Sequence, residues 1–420
     1  MTDQESKARE IARTLQDAGH EAYFAGGCVR DELLGLTPRD YDIATSAHPD
    51  VVERLFRRTI AVGRQFGVIV VLMGQDSFDV ATFRADFNYG DGRHPENISF
   101  TTAKEDVARR DFTINGLLKD PITGEIHDHV GGRADLKAGL VRTIGNPMDR
   151  FTEDHLRMLR AVRFASRLGF DLEAETMSTL RKVSANAALP SAERRSAELQ
   201  KMLTEGHPAR ALELLRETNM CAQVLPQLAD HWDDLVEERL GWEGARSVSV
   251  GRRLSAIFES LDGQKLSTEI AWAHLLADLP ALSVCKRARE IEKILKDLRV
   301  SNESVRATSQ LVRVRDRILF ASRFSRARKA LFFAQDSVSL LCEFAAIQRD
   351  FSGSTTTIPN AGVVPTPLPG PLLRGNELME LGVPGGKALG RVIKRLRFLQ
   401  LQGDCETVAQ AEEWVQSIVS

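Results

Sequence analysis

Apolar residues recur at helical spacing over 5–18, again from Cys28 and again from Pro49, and each stretch predicts an amphipathic helix. Between them, short β-forming runs end at Ala25 and cross 39–44. The runs 67–72 and 78–84, split by the turn residues Gly74, Gln75, Asp76 and Ser77, predict a hairpin. Together these elements give a small mixed sheet flanked by helices. Beyond Asp149 almost every segment reads as helix and alternating β-branched runs are few. The expected fold class is α+β, a mixed-sheet head followed by an all-α neck, body and tail. The visible breaks are the change of class near 150, a weaker one around 186–191 and the stretch 352–371, and the expected division is a head over 1–149, a neck over 150–215, a body over 216–351, a linker over 352–371 and a tail over 372–420. The linker is poor in charge and rich in Ser, Thr, Pro and Gly. Residues 85–100 form a Gly-, Asn- and Pro-containing loop, longer than most connections inside a domain, and so a candidate functional element.

Length agrees with this division, since 420 residues exceed what one core organises. Apolar residues at 43% and charged residues at 27% exclude a largely disordered chain. The 56 Lys and Arg nearly balance the 58 Asp and Glu, so a net charge of −2 gives no global attraction to nucleic acid or membrane. The balance hides a patch: from 286 to 329 there are fourteen Lys or Arg against five Asp or Glu. Within it Arg323, Arg326 and Arg328 are candidate RNA contacts, with a solvated helix surface as the competing reading. The tail adds Arg374, Lys387, Arg391, Lys394, Arg395 and Arg397. Five scattered cysteines without a C-x-x-C pair argue against zinc or redox chemistry and fit a reducing cytoplasm. The polar N-terminus and the lack of any run of about 18 apolar residues predict a soluble, cytoplasmic protein without a membrane partner.

Candidate chemistry begins in AGGCVRDELLGLTPRDYDIATSA, residues 25–47. Gly26 and Gly27 follow a predicted strand and open a helix, so their amides can approach a triphosphate closely, with Arg30 adding a charge-assisted contact. Asp40 and Asp42 stand two apart in a predicted strand, which puts both carboxylates on one face within reach of shared divalent ions. Singly, a Gly pair is a turn and a D-x-D a solvated strand end. Their joint order, a phosphate loop and then paired carboxylates, suits metal-assisted nucleotidyl transfer with two Mg2+ ions. Such a site commonly takes a third carboxylate, for which Asp79 in the adjacent hairpin is the candidate, with Asp86 and Asp111 as alternatives.

These residues resemble the class II tRNA nucleotidyltransferases and bacterial poly(A) polymerases, which share a polymerase-β-like catalytic head. The family's Gly pair, V-R-D, L-L-G, Pro and D-x-D stand here as Gly26, Gly27, Val29, Arg30, Asp31, Leu33, Leu34, Gly35, Pro38, Asp40 and Asp42. Its R-R-D-F-T-x-N is present from Arg109 to Asn115, and the resemblance assigns Arg109, Arg110, Asp111 and Asn115 to ribose and triphosphate contacts. Its loop motif Y-x-D-G-R-x-P spans 89–95, and its base-selecting E-D-x-x-R stands as Glu153, Asp154 and Arg157, followed by Arg160 and Arg163. The match is dense over about 20–205 and thin beyond. It implies transfer to the 3′ end of tRNA from CTP and ATP.

Asp154 and Arg157, three apart in an expected helix, would present an acceptor beside rigid donors. Cytosine and adenine both offer a ring-nitrogen acceptor beside an amine donor, which this pair complements, whereas guanine and uracil reverse the pattern. Without the other motifs the same residues would read as a charged helical turn with an i,i+4 ion pair. His155 replaces the family's Pro in E-D-P-x-R, and His129 a Pro in the turn after Asp128. The segment from His127 to His129 reads as a polar turn rather than a metal site, and His274 as a satisfied helix histidine. Three products stay open: complete CCA, part of CCA, or poly(A). The resemblance implies that CC-only enzymes shorten the loop over 85–100, which is intact here. Residues 61–70 match the poly(A) signature G-R-R-F only at Gly63, Arg64 and Phe66. CCA addition is therefore favoured, with the loop over 85–100 as the part that reshapes the pocket between CTP and ATP. A catalytically silent RNA-binding protein is the rival from another class, disfavoured because Asp40 and Asp42 are both retained.

Overall fold

Helix α1 (Asp3–Asp17) starts at Thr2, whose hydroxyl accepts the Glu5 N–H at 3.1 Å, and buries Ala8, Ile11, Ala12 and Leu15 along one stripe. There follow β1 (Ala22–Ala25), α2 (Gly27–Leu33), β2 (Asp42–Thr45), α3 (Pro49–Leu55), β3 (Thr59–Gly63), β4 (Val68–Met73) and β5 (Asp76–Thr82). Next come β6 (Arg84–Phe87), β7 (Asn97–Phe100), α4 (Ala103–Ala108), β8 (Leu117–Lys119) and β9 (Ile126–Asp128). The structure, a computed structural model, describes residues 2–87, 97–185, 189–239, 245–280, 283–318, 324–334, 338–352 and 367–419.

The head is a mixed seven-stranded sheet in the order β3-β4-β5-β2-β1-β8-β9, in which β2 and β5 run parallel and the other pairs antiparallel. The expected hairpin is β4–β5, turning at Gly74 and Gln75. Three details differ from the sequence reading. The strand expected over 39–44 begins only at Asp42, because β1 ends in the pair Ala25↔Asp42 and leaves no partner for the residues before it. Asp40 therefore precedes the strand instead of alternating within it. The ends of the loop over 85–100 pair as β6 and β7, with Arg84 opposite Phe100 and Phe87 opposite Asn97. The loop motif at 89–95 lies outside the described residues.

The first compact unit comprises Met1–Asp230 with Leu261–Lys265. It continues through α5 (Gly132–Ala138), β10 (Leu140–Val141), α6 (Pro147–Glu153), α7 (Leu156–Leu168), β11 (Asp171–Leu172), α8 (Ala174–Ser184), α9 (Ala192–Thr204), α10 (Pro208–Glu217), α11 (Met220–Val224) and α12 (Pro226–Asp230). Helix α7 is buried on nearly every side, as a helix packed between neighbours must be, and lies against α9 and α10. The α9–α10 turn is so tight that a Cβ on Gly206, at φ +67°, would stand 2.4 Å from the Arg167 Cα. Gly206→Ala is accordingly expected to cost about 2–4 kcal/mol, from left-handed strain plus backbone overlap. Gly19→Ala, at φ +87° with open space around it, is expected to cost only about 1 kcal/mol. Urea unfolding of the two variants checks the difference; equal losses would overturn it.

The second unit comprises His231–Ser260 with Leu266–Ser420. It holds β12 (Leu235–Arg239), β13 (Ala245–Ser249), α13 (Val250–Ser260), α14 (Thr268–Leu276), α15 (Val284–Asp297), α16 (Asn302–Ile318), α17 (Arg326–Phe333), α18 (Val338–Ser352), α19 (Gly375–Glu380), α20 (Lys387–Gln402) and α21 (Val408–Val419). The antiparallel β12–β13 pair interrupts what the sequence reading treated as all helix. Helix α14 carries the core, with Trp272 and His274 fully buried. Burial first, and then the charge of Arg315, push His274 down to about 3, so it is a neutral core histidine. Asp278 sits between Arg253 at 2.8 Å and Arg315 at 2.7 Å. Thus part of the basic excess over 286–329 is internal; Arg313 is likewise paired with Glu292 at 2.7 Å. The last three helices enclose a small core of Leu373, Leu378, Val383, Leu396, Ala411 and Val415. Most of the expected linker, 353–366, lies outside the described residues. Among the described residues no single helix is long and apolar enough to cross a membrane.

Candidate active site

The β1–α2 turn is possible because Gly26 adopts φ +71°, a conformation that L side chains rarely adopt. A Cβ there would also meet Arg110 Nη1 at 3.3 Å, so the glycine lets an arginine lie against the backbone. This turn opens onto a cleft of about 650 Å³, which nine arginines and one lysine line against six carboxylates. Gly26, Gly27, Asp40 and Asp42 are on its wall, together with every nucleotide-binding candidate from Arg30 to Arg163. Ten cations and glycine backbone in one concave surface suit a triphosphate.

Asp42 is a cleft carboxyl that the fold pushes upward. Walls of protein displace water from around its carboxyl, and the charges of Asp40 and Asp79 add to that, pushing it up to about 6 against the opposing pull of Arg110. Asp79 reaches it because β2 and β5 are parallel with Ile43 opposite Val80, so the preceding residues, Asp42 and Asp79, are neighbours on the other face. Of the alternatives for the third carboxylate, Asp111 is buried and held by Arg160 at 2.7 Å. The side chain of Asp86 lies outside the described ones.

Beneath the cleft the arginines are held in place by acids. Arg30 is buried, with Nε and Nη2 on Asp31 Oδ1 at 2.7 and 2.5 Å and Nη1 on Asn115 Oδ1 at 2.7 Å. It is anchored, and less free to reach a ligand than its charge suggested. Asn115 in turn donates to Asp111 at 3.2 Å, and Asp111 also accepts its neighbour's Phe112 N–H at 2.8 Å. Burial alone would raise the Asp111 carboxyl, but the charge and hydrogen bond of Arg160 outweigh it and hold it below the usual range. Arg163 pairs with Glu198 and stacks on the Phe164 ring at 4.1 Å. The sequence reading missed Asp106, which is buried and takes Arg109 at 2.6 Å and Arg110 at 3.0 Å. Asp106, on α4, stands three and four positions before those arginines, which follow the helix end, and that spacing was the available signal.

The two base-reading candidates do share the cleft, but not one helical face. Helix α6 ends at Glu153, Asp154 is extended at φ −146°, and α7 begins at Leu156. Asp154 accepts the Leu156 N–H at 3.0 Å and is held by Arg194 on α9 at 2.8 and 3.2 Å. Arg194 is forty positions away and has no local sequence signal. Arg157 makes the i,i+4 ion pair with Glu153 at 2.6 Å and donates to the carbonyls of Arg150 and Arg109, both at 3.2 Å. Of about four acceptor positions on a carboxylate and five guanidinium N–H groups, this leaves one on Asp154 and two on Arg157. His155 replaces the family's Pro without disturbing the break: its φ is −59°, within the range of Pro, and Nδ1 bonds the Phe151 carbonyl at 2.8 Å. Asp128 accepts four backbone N–H groups, from Val130 to Arg133, and forms the expected polar turn.

In the second unit Arg326 and Arg328 are exposed in the first turn of α17. Arg323 lies outside the described residues.

Residues 22–142 match the poly A polymerase head domain family, and residues 169–231 the probable RNA and SrmB-binding site of polymerase A. The CCA-adding enzyme of Bacillus velezensis is 39% identical over 329 residues, 78% of this chain and 76% of that one. That of Levilactobacillus brevis is 32% identical over 400 residues, 94% and 93% of the two chains. The Bacillus stearothermophilus CCA-adding enzyme in complex with CTP superposes with a TM-score of 0.76 at 28% identity, covering 100% of this chain and 98% of that one. The Thermotoga maritima CCA-adding enzyme complexed with tRNA shares the fold, with a TM-score of 0.58 at 18% identity over 99% and 95% of the two chains. Identity sustained across nearly the whole length of such relatives, on a head with the same sheet and helical architecture, leaves one conclusion: the chain belongs to the family of CCA-adding enzymes.

Proposed function

We propose that this chain adds CCA to the 3′ ends of tRNA, drawing on CTP and then ATP. The observation that carries the reading is the opening of Asp40, Asp42, Asp154 and Arg157 onto one cleft. The donor set fits magnesium: both ligands are hard carboxylate oxygens, and the charges of Asp40 and Asp79, which add to desolvation in lifting Asp42 to about 6, are what a divalent cation offsets. Among the described residues no three ligating side chains converge, so only Asp40 and Asp42 are proposed as ligands, leaving the rest of the shell to phosphates and water. When bound, a two-ion magnesium site supplies charge that favours an ionised 3′-hydroxyl and a pyrophosphate leaving group. Asp40 and Asp42 would hold it, with Asp79 adding charge beside them. The Gly26–Gly27 backbone and Arg110 lie where the triphosphate is expected, while Asp106 and Asp111 keep Arg109, Arg110 and Arg160 oriented. Asp154 and Arg157 use their remaining acceptor and donors on the base edge. Arg326 and Arg328, with Arg323, are proposed contacts to the RNA backbone. In this reading the head is 1–149, the neck with the base-reading pair 150–215, the body 216–351, the linker 352–371 and the tail 372–420.

Purified protein given each NTP with tRNA ending before CCA, tRNA ending in CC, and an unstructured RNA is expected to add two C and one A to the first, and one A to the second. Unlimited A addition to the unstructured RNA would instead identify a poly(A) polymerase, and no addition a silent RNA-binding protein. Arg157→Ala is expected to lower the preference for CTP over UTP by about ten- to a hundredfold, the usual worth of a bidentate base contact. An unchanged preference would leave Arg157 as a purely structural partner of Glu153.

A further inference from the structure

The charge of the cleft is almost entirely committed. Asp31 takes Arg30 and Arg167, Asp106 takes Arg109 and Arg110, and Glu205 takes Arg39. The remaining four arginines pair with Glu153, Asp111, Glu198 and Asp154. Lys201 is the tenth cation of the lining, and among the described residues its ammonium group has no carboxylate or hydrogen-bond partner. Glu205, four residues on, lies extended past the end of α9, and its carboxylate is occupied by Arg39 and lies 3.8 Å from Arg167.

Its position distinguishes Lys201 from an ordinary solvated lysine. Arg194 and Lys201 are seven residues apart on α9, hence on one stripe and about 10 Å apart along the axis. The stripe runs from the Asp154 end of the cleft, where Arg194 is bonded, to the Glu205–Arg39 pair, and Arg39 directly precedes Asp40. Lys201 is exposed, whereas the Gly26 turn and the anchored Arg30 are at the cleft floor.

We propose that Lys201 binds a backbone phosphate of the RNA being extended, the polyanion that must cross the rim to bring its 3′-hydroxyl to Asp40 and Asp42. This rests on the nucleotidyl-transfer reading above. A lysine suits such a contact, because an ammonium on a flexible stem is a point charge that needs no fixed geometry. It can follow a phosphate that shifts with each added nucleotide, which a guanidinium locked to a carboxylate cannot.

The test compares Lys201→Ala and Lys201→Arg in the full chain, on tRNA ending before CCA, with CTP. RNA affinity is measured separately by fluorescence anisotropy over a salt series. Lys201→Ala is expected to raise KM for RNA about three- to fivefold and to flatten the salt slope by about 0.7–0.9, one phosphate contact. KM for CTP should stay as it is, and Lys201→Arg should restore both RNA values. A raised KM for CTP with unchanged RNA binding would place Lys201 on the incoming triphosphate and overturn the proposal. No change in either would make it a solvated lysine. A wild-type protein that transfers nothing would defeat the nucleotidyl-transfer reading, while the salt slope would still judge Lys201.

Discussion

Asp42→Asn is expected to cut nucleotidyl transfer at least a hundredfold while raising the midpoint of thermal unfolding. A hundredfold is about 2.7 kcal/mol of lost transition-state stabilisation, modest for a carboxylate proposed to help hold the reacting charge. The stability gain follows from the sign of the shift. The folded state lifts the Asp42 carboxyl to about 6 through desolvation and the neighbouring Asp40 and Asp79, so ionising it costs the fold free energy. Relative to the unfolded chain, its contribution is fully favourable below the ordinary carboxylate range and is lost as pH rises through about 6. The gain from the amide should therefore be present at pH 8 and vanish near pH 4. In the unsubstituted protein, transfer at limiting magnesium should fall below pH 6, and more magnesium should move that fall to lower pH, since metal and proton compete for one carboxylate. Activity within tenfold of the unsubstituted protein, or a lowered melting temperature at pH 8, would sink the assignment.

The second large effect is expected at a residue that no motif singled out. Asp106 is 1% exposed and bonds Arg109, Arg110 and the Arg84 N–H. Burial alone would raise its carboxyl, but the charges of Arg110 and Arg109 outweigh it and hold it below the ordinary range. Asp106→Ala removes the shared acceptor of two guanidinium groups and is expected to cost about 3–5 kcal/mol. It should also raise KM for CTP about tenfold or more, as Arg109 and Arg110 lose their orientation. Because the native pKa is lowered, the stabilisation is present above the ordinary carboxylate pKa and is lost as pH falls through the native value. The gap between variant and parent should close in acid. Urea titrations at pH 7 and pH 3, with steady-state kinetics at pH 7, test both parts. A stable variant with the parental KM for CTP would reduce Asp106 to an ordinary helix carboxylate.

What could be read from the chain divides along the range of the interactions. Gly26 and Gly27 were legible because a turn that opens a helix has a local requirement for φ > 0, met here at +71°. The β4–β5 hairpin was legible because its turn chemistry and alternation are also local. The neighbourhood of Asp79 was harder to read, since it lies beside Asp42 only through the parallel pairing of β2 and β5. That pairing involves strands more than thirty residues apart, and no window of sequence contains it.

The α+β division, the Gly26–Gly27 turn and the family resemblance all rest on residue type at short, fixed spacing, and so were legible in the chain alone. Long-range packing, in contrast, puts Asp40 ahead of its strand, Asp154 at a break between helices instead of on one, and Arg30 in the grip of Asp31 and Asn115. The nine cleft arginines are committed to carboxylates, while among the described residues Lys201 has no such partner. A side chain's charge is a property of the residue, but whether that charge is available depends on which partners folding brings within about 4 Å.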